Sequence, residues 1–179
     1  MSHPLDPDAT RLAATIQFAK TEGGPLIVMP ESVLASWNGM AGDYERVVAG
    51  FNLIDVGTAK ALTLESPDNS TFVPRPDGAR IVRWIGADDA ETLLTAALAV
   101  TDDKLTEAVG DFPHPGGNLV MFDSGSAGAE VERDRIASIE LPEGNYAVRM
   151  CIEWRGRVTG TDDKPHDVMV QVLDLRLRS

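Results

Sequence analysis

Cysteine is almost missing from this chain of 179 residues: Cys151 stands alone. An intrachain disulfide is therefore excluded, and so is a zinc site built from several thiolates. Histidine is nearly as scarce, and His3, His114 and His166 are scattered, so no Ser-His-Asp set assembles from the sequence. No apolar run approaches the about 18 residues that a membrane helix needs. The start, Met1 to Asp8, has neither a basic segment nor an apolar core, so no signal peptide is expected and a cytoplasmic location is. Positive charge is also short. Sixteen Lys and Arg face 28 Asp and Glu, leaving a net charge of -12. Such a surface repels phosphate backbones and anionic lipids, which disfavours nucleic acid and membranes and favours basic proteins as partners. The plainer role of this acidity is solubility.

With 43% hydrophobic and 25% charged residues, the chain falls in the soluble globular range. At this length it buries about 70% of its unfolded surface and needs no staple. The patterning predicts an α+β fold with mixed or antiparallel sheets. Two or three helices are expected in the N-terminal half, and a strand-rich C-terminal half. Residues 1–14 are expected to be poorly ordered or to carry a short helix after Asp6-Pro7. Residues 15–179 form one domain, or two lobes at 15–110 and 118–179.

Along the chain, Thr15 to Thr21 and Leu26 to Met29 read as strands around Glu22-Gly23-Gly24. Pro30 opens a helix to Trp37, since its missing N–H suits the first helical position. Asp43 caps a second short helix carrying Tyr44, Val47 and Val48. Strands follow at Leu53–Val56 and Lys60–Glu65, then an exposed loop from Ser66 to Gly78, marked by Pro67, Pro74, Pro76 and Gly78. After a strand at Ile81–Ile85 comes the clearest helix, Asp88 to about Val100. Asp88 and Glu91 cap it, and Leu93, Leu94, Ala97 and Leu98 form its buried stripe.

Asp111 to Gly117 is expected to separate the halves. Beyond it, strands are predicted at Leu119–Phe122, Ile136–Leu141, Asn145–Arg155 and His166–Arg178, with Glu143-Gly144 turning the second into the third as a hairpin. Alternation puts Tyr146, Val148, Met150, Ile152 and Trp154 inward and leaves Cys151 beside Arg149 and Glu153. Val168, Val170 and Val172 share one parity and Leu173, Leu175 and Leu177 the other, which predicts a β-bulge near Val172-Leu173.

Two groupings imitate active sites. Asp162-Asp163-Lys164-Pro165-His166-Asp167 has metal-ligating side chains, but it lies between two long strands, where such residues make a hairpin loop. Ser124-Gly125-Ser126-Ala127-Gly128 lacks the glycine two residues before the serine that a nucleophile elbow requires. Glu130, Glu132 and Asp134 beyond it have the wrong charge for phosphate. No catalytic residue, metal or cofactor is assigned.

Four blocks in order carry a family resemblance. The first is Glu22-Gly23-Gly24-Pro25-Leu26-Ile27-Val28-Met29-Pro30-Glu31-Ser32-Val33-Leu34-Ala35-Ser36-Trp37-Asn38-Gly39. Asp43-Tyr44-Glu45-Arg46 with Ile54-Asp55-Val56-Gly57, and Ile81-Val82-Arg83-Trp84, come next. The last is Leu119-Val120-Met121-Phe122-Asp123-Ser124 with Leu141-Pro142-Glu143-Gly144-Asn145-Tyr146-Ala147-Val148. Across roughly residues 16–178 the chain resembles the immunity protein 21 family of bacterial polymorphic toxin systems. The resemblance implies a non-enzymatic antitoxin that occludes a cognate, basic toxin. Aromatic anchors at Trp37 and Trp84 would join acids drawn from Asp88, Asp102, Asp103, Asp123, Glu130 and Glu132. The alternative is a small-molecule-binding protein or hydrolase with a pocket between the two halves.

Overall fold

The computed structural model describes residues 1–47 and 49–179. Strand β1, Leu26–Pro30, is buried at every position, the pattern of a strand covered on both faces. It sits at the centre of a five-stranded sheet. Its neighbours are β2 (Asn52–Val56) and β3 (Ala59–Thr63) on one side, and β7 (Gly117–Asp123) and β8 (Ala137–Leu141) on the other, in the order β2-β3-β1-β7-β8. The second sheet joins β4 (Ser70–Arg75), β5 (Gly78–Gly86), β6 (Glu107–His114), β9 (Gly144–Thr159) and β10 (Pro165–Leu177), in the order β4-β5-β10-β9-β6. Every pairing between these strands is antiparallel.

The sheets enclose a core that includes Leu26, Val28, Leu62, Ile81, Phe112, Met121, Tyr146 and Leu173. Each outer face needs its own cover. Helices α1 (Pro7–Ala13) and α2 (Ala90–Ala99) lie over the second sheet, burying Ala9, Leu93, Leu94 and Ala97 against Val82, Val168, Val170 and Val172. Over the first sheet the cover is irregular: Val33, Trp37 and Ile136 pack on Ile27, Met29 and Phe122. A 3-10 helix, Glu31–Ser36, carries part of it. Gly128 lets a second covering segment come close, because a methyl group there would collide with the Leu34 carbonyl.

The α+β class and the antiparallel sheets match the sequence pattern, but the uneven division between halves does not. Among the described residues, five strands precede α2 and five follow it. Each sheet draws on both sides of Asp111–Gly117, and Asp111–His114 belong to β6 rather than to a break. Pro113 is tolerated because β6 is an edge strand, where an N–H turned away from the sheet would make no ladder bond. The same reason places β4 inside the expected loop 66–78: Pro74 lies on an edge, while Ser70 to Val73 are buried. Glu143-Gly144 is no hairpin turn, since it carries the chain from β8 in one sheet to β9 in the other.

Smaller departures have local causes. At the N-terminus the short helix expected after Asp6-Pro7 is α1, capped by the Asp6 carboxylate accepting from the Asp8 N–H, and His3 bridges to Val158. Between Thr15 and Thr21 only Ala19 pairs, with Ser70. Pro30 ends β1 instead of opening an α-helix, and the next residues wind as 3-10 before Trp37 turns extended. Tyr44–Arg46 is likewise 3-10, and Val48, expected on that helix, lies outside the described residues. Asp89, not Asp88, caps α2 by accepting from the Thr92 N–H.

The register slip falls slightly upstream of Val172-Leu173, and the extra residues are on the strands flanking β10. From Val170 to Val172 the partner on β9 moves from Trp154 to Cys151, and from Met169 to Val170 the partner on β5 moves from Gly86 to Trp84. The two apolar parities of β10 face two different cores, Val168, Val170 and Val172 toward the helices and Leu173 and Leu175 between the sheets.

Candidate functional site

The eight residues proposed from sequence for partner binding fall into three regions. At the end of β1 and β7, Trp37 is buried, its Nε1 donates to the Ser124 carbonyl at 2.9 Å, and the Arg46 guanidinium lies 5.9 Å from its ring centre. Asp123, beside it, is also buried. Its carboxylate accepts from Thr21 Oγ1 at 3.0 Å, and from the N–H groups of Glu22 at 2.7 Å, Gly24 at 3.3 Å and Gly125 at 2.8 Å. That set clamps the Gly23-Gly24 turn to the loop after β7. Glu130 and Glu132 are exposed on the loop above and line a shallow hollow with Lys20, Glu22 and Arg135.

The second region joins the end of β5 to the β9–β10 hairpin. Trp84 is half-buried, donates from Nε1 to the Ala87 carbonyl at 3.0 Å, and meets Phe18 edge-on at 5.2 Å. Asp88 reaches His166 Nδ1 at 2.6 Å, and Asp162 reaches Nε2 at 2.8 Å. These hydrogen bonds, Asp162's first and Asp88's second, raise the His166 pKa, while His166 lowers that of Asp162. The two carboxylates occupy opposite edges of the ring, so the three groups cannot converge on one ion. Among the described residues no group of three His, Cys, Asp or Glu side chains is arranged to hold a metal.

In the third region, after α2, Asp102 and Asp103 are exposed. Arg176 donates to Asp102 at 2.8 Å and lowers its pKa, and the hydrogen bond from Thr101 does the same for Asp103. Arg176 also donates to the buried Asp174 at 3.0 Å. From there a network runs inward. Arg80, fully buried, binds Asp174 through Nε at 2.5 Å and Nη2 at 2.8 Å, and its Nη1 donates to the carbonyls of Ala97 at 2.7 Å and Val100 at 3.0 Å. These carbonyls lie at the C-terminal end of α2, where Ala97 also accepts from the Val100 N–H at 3.4 Å, and a cation suits that end of the helix dipole. Sequence reading missed this ion pair, although an arginine between Ala79 and Ile81 in an apolar strand was its visible signal.

Cys151 faces the helix-side core beside Val172, and burial pushes its thiol pKa up, away from the thiolate that reactivity requires. The bulge on β9 explains the failed alternation, since Ile152, expected inside, is 54% exposed. Between the sheets, a hollow of about 450 Å³ opens where the β2–β3 turn meets the end of β6, lined by Asp55, Lys60, His114 and Glu143 among others. His114 is buried there, with Nε2 bonded to the Gly117 carbonyl at 3.1 Å.

Fold and surface define a small acidic α+β protein built as two stacked antiparallel sheets, with exposed carboxylates on both its loops and its strands. A family model described as Immunity protein 21 matches residues 17–158. The chain belongs to that family. No curated protein and no solved structure matches it. None of its helices is long and apolar enough to cross a membrane, among the described residues.

Proposed function

We propose that this protein is an antitoxin that binds a cognate toxin effector domain and neutralises it by occlusion, without catalysing a reaction. The observation that carries this is the family match over residues 17–158, which spans the first sheet and most of the second. A net charge of -12 supports a basic toxin as partner, because complementary fields speed encounter and set orientation. The cytoplasm is the compartment where such a pair meets. Trp84, Asp88, Asp102, Asp103, Glu130 and Glu132 keep accessible surface and are assigned to contact. Trp37 and Asp123 act through the loop they hold in place, the one that presents Glu130 and Glu132.

Co-expression with the toxin encoded beside this chain tests the proposal. Growth is expected to be restored, with a stable one-to-one complex on purification. Charge reversal at Glu130 with Glu132, or at Asp102 with Asp103, is expected to weaken that complex. A toxin that stays fully active in the presence of the folded protein would end this reading.

A further inference from the structure

A free strand edge is the feature that neither the fold nor toxin binding accounts for. Of the other edges, β8 lies against β4, and three are blunted: Ala19 exchanges backbone hydrogen bonds with Ser70 on β4, Pro74 and Pro113 fall in β4 and β6, and Arg46 bonds the Asp55 carbonyl on β2. On β9 the situation differs. Its partner β6 reaches only from Gly144 to Met150. The next neighbour on that side is His3, whose N–H donates to the Arg157 carbonyl at 2.8 Å and whose carbonyl accepts from the Thr159 N–H at 2.7 Å. Between them, residues 151–156 have β10 on one side and, among the described residues, no strand on the other. Beside this gap stands Ile152, 54% exposed. An unpaired edge with an exposed aliphatic side chain is a template for another strand.

We infer that this edge pairs with the same edge of a second copy, joining two sheets across a two-fold axis. The occupant follows from charge. Residues 149–157 carry Arg149, Arg155 and Arg157 against one acid, Glu153, so the stretch is locally basic in a chain of net charge -12. A basic toxin is repelled here, and what selects a second copy is the alternation of acid and base along the strand rather than its net charge. The charges are also self-complementary. In an antiparallel two-fold pair, an axis at Trp154 sets Glu153 opposite Arg155 of the other copy, and an axis at Arg155 sets Glu153 opposite Arg157. Either register makes two opposite-charge pairs, because symmetry repeats each contact, but an axis at Arg155 also sets Arg155 opposite its own copy, so the axis at Trp154 is the favoured one. Within one copy Arg155 already donates to Glu153 at 2.6 and 3.0 Å and Arg157 to Asp167 at 3.0 Å. Pairing trades one such contact for its cross-strand equivalent. The inference does not depend on toxin binding.

Sedimentation equilibrium from about 1 µM to about 1 mM protein tests it, with a reversible monomer–dimer equilibrium expected. Glu153→Arg alone is expected to raise the dissociation constant about tenfold, as like charges then face each other twice. Combining it with Arg155→Glu restores pairing for an axis at Trp154, and combining it with Arg157→Glu restores pairing for an axis at Arg155. Failure of both swaps to restore it, a dimer indifferent to Glu153→Arg, or a monomer throughout overturns the inference. Hydrogen exchange on the unaltered chain covers any variant that misfolds. Exchange at amides within 151–156 is expected to slow as concentration rises, and unchanged exchange there overturns the inference as well.

Discussion

At the scale of single residues, the buried Arg80–Asp174 pair is the most exacting feature of the molecule. The two side chains are 0% and 1% exposed, and removing two charges from water costs several kcal/mol per ion unless their hydrogen bonds are nearly complete. Here Asp174 accepts from Arg80 and Arg176, and Arg80 also closes the end of α2. Asp174→Asn leaves the buried guanidinium without its counter-charge and is expected to destabilise the fold by about 3–5 kcal/mol. Replacing both partners by apolar residues, Arg80→Met with Asp174→Leu, is expected to cost less. What remains is chiefly the unmade bond to the Val100 carbonyl, about 1–3 kcal/mol for a buried group left unsatisfied, since Ala97 keeps the Val100 N–H. Urea denaturation of the two variants ranks them, and a double variant less stable than Asp174→Asn would contradict this account.

At the scale of elements, the long β9–β10 hairpin is tied to the approach of α2 through His166, held between Asp88 and Asp162. Folding raises the His166 pKa above its ordinary value of about 6.5. The stabilisation this histidine contributes is therefore complete below about pH 6.5, and it is lost as pH rises through the raised folded value. Asp162 runs the other way. Its lowered pKa contributes stability above its ordinary value near about 4, lost as pH falls through the folded value. The clasp is thus strongest in mildly acidic solution. Melting curves of the native chain and His166→Asn between pH 5 and 9 are expected to differ most at the acid end and to converge upward. A gap that is constant with pH would mean that His166 acts only by its shape.

At the scale of the whole molecule, the proposed function gives charge the task of bringing the toxin in. A field from -12 net charges steers an oppositely charged protein over the Debye length, which shrinks from about 10 Å at 0.1 M salt to about 3 Å at 1 M. Stopped-flow association with the toxin is expected to slow about tenfold or more from low to high salt, with little change in dissociation. A salt-independent association rate would assign the acidity to solubility alone. The site itself was only partly legible at this scale. Loop acids such as Glu130 and Asp102 could be named from the sequence, since loops lie on the surface. The role of Asp123 as an anchor for three backbone N–H groups could not, because those donors come from two turns about a hundred residues apart.

The sequence alone determined the α+β class, the family, most of the strands and α2, because alternation and helical spacing record which side chains leave water. It could not say which layer covers each face. The pattern of β10 is the same whether its second apolar parity marks a bulge or a second core, and β8 and β9 look like a hairpin until they are seen in separate sheets. Strand pairing is a long-range choice made by packing. It hid β4 behind its prolines, turned Cys151 inward and Ile152 outward, and left one edge of β9 open.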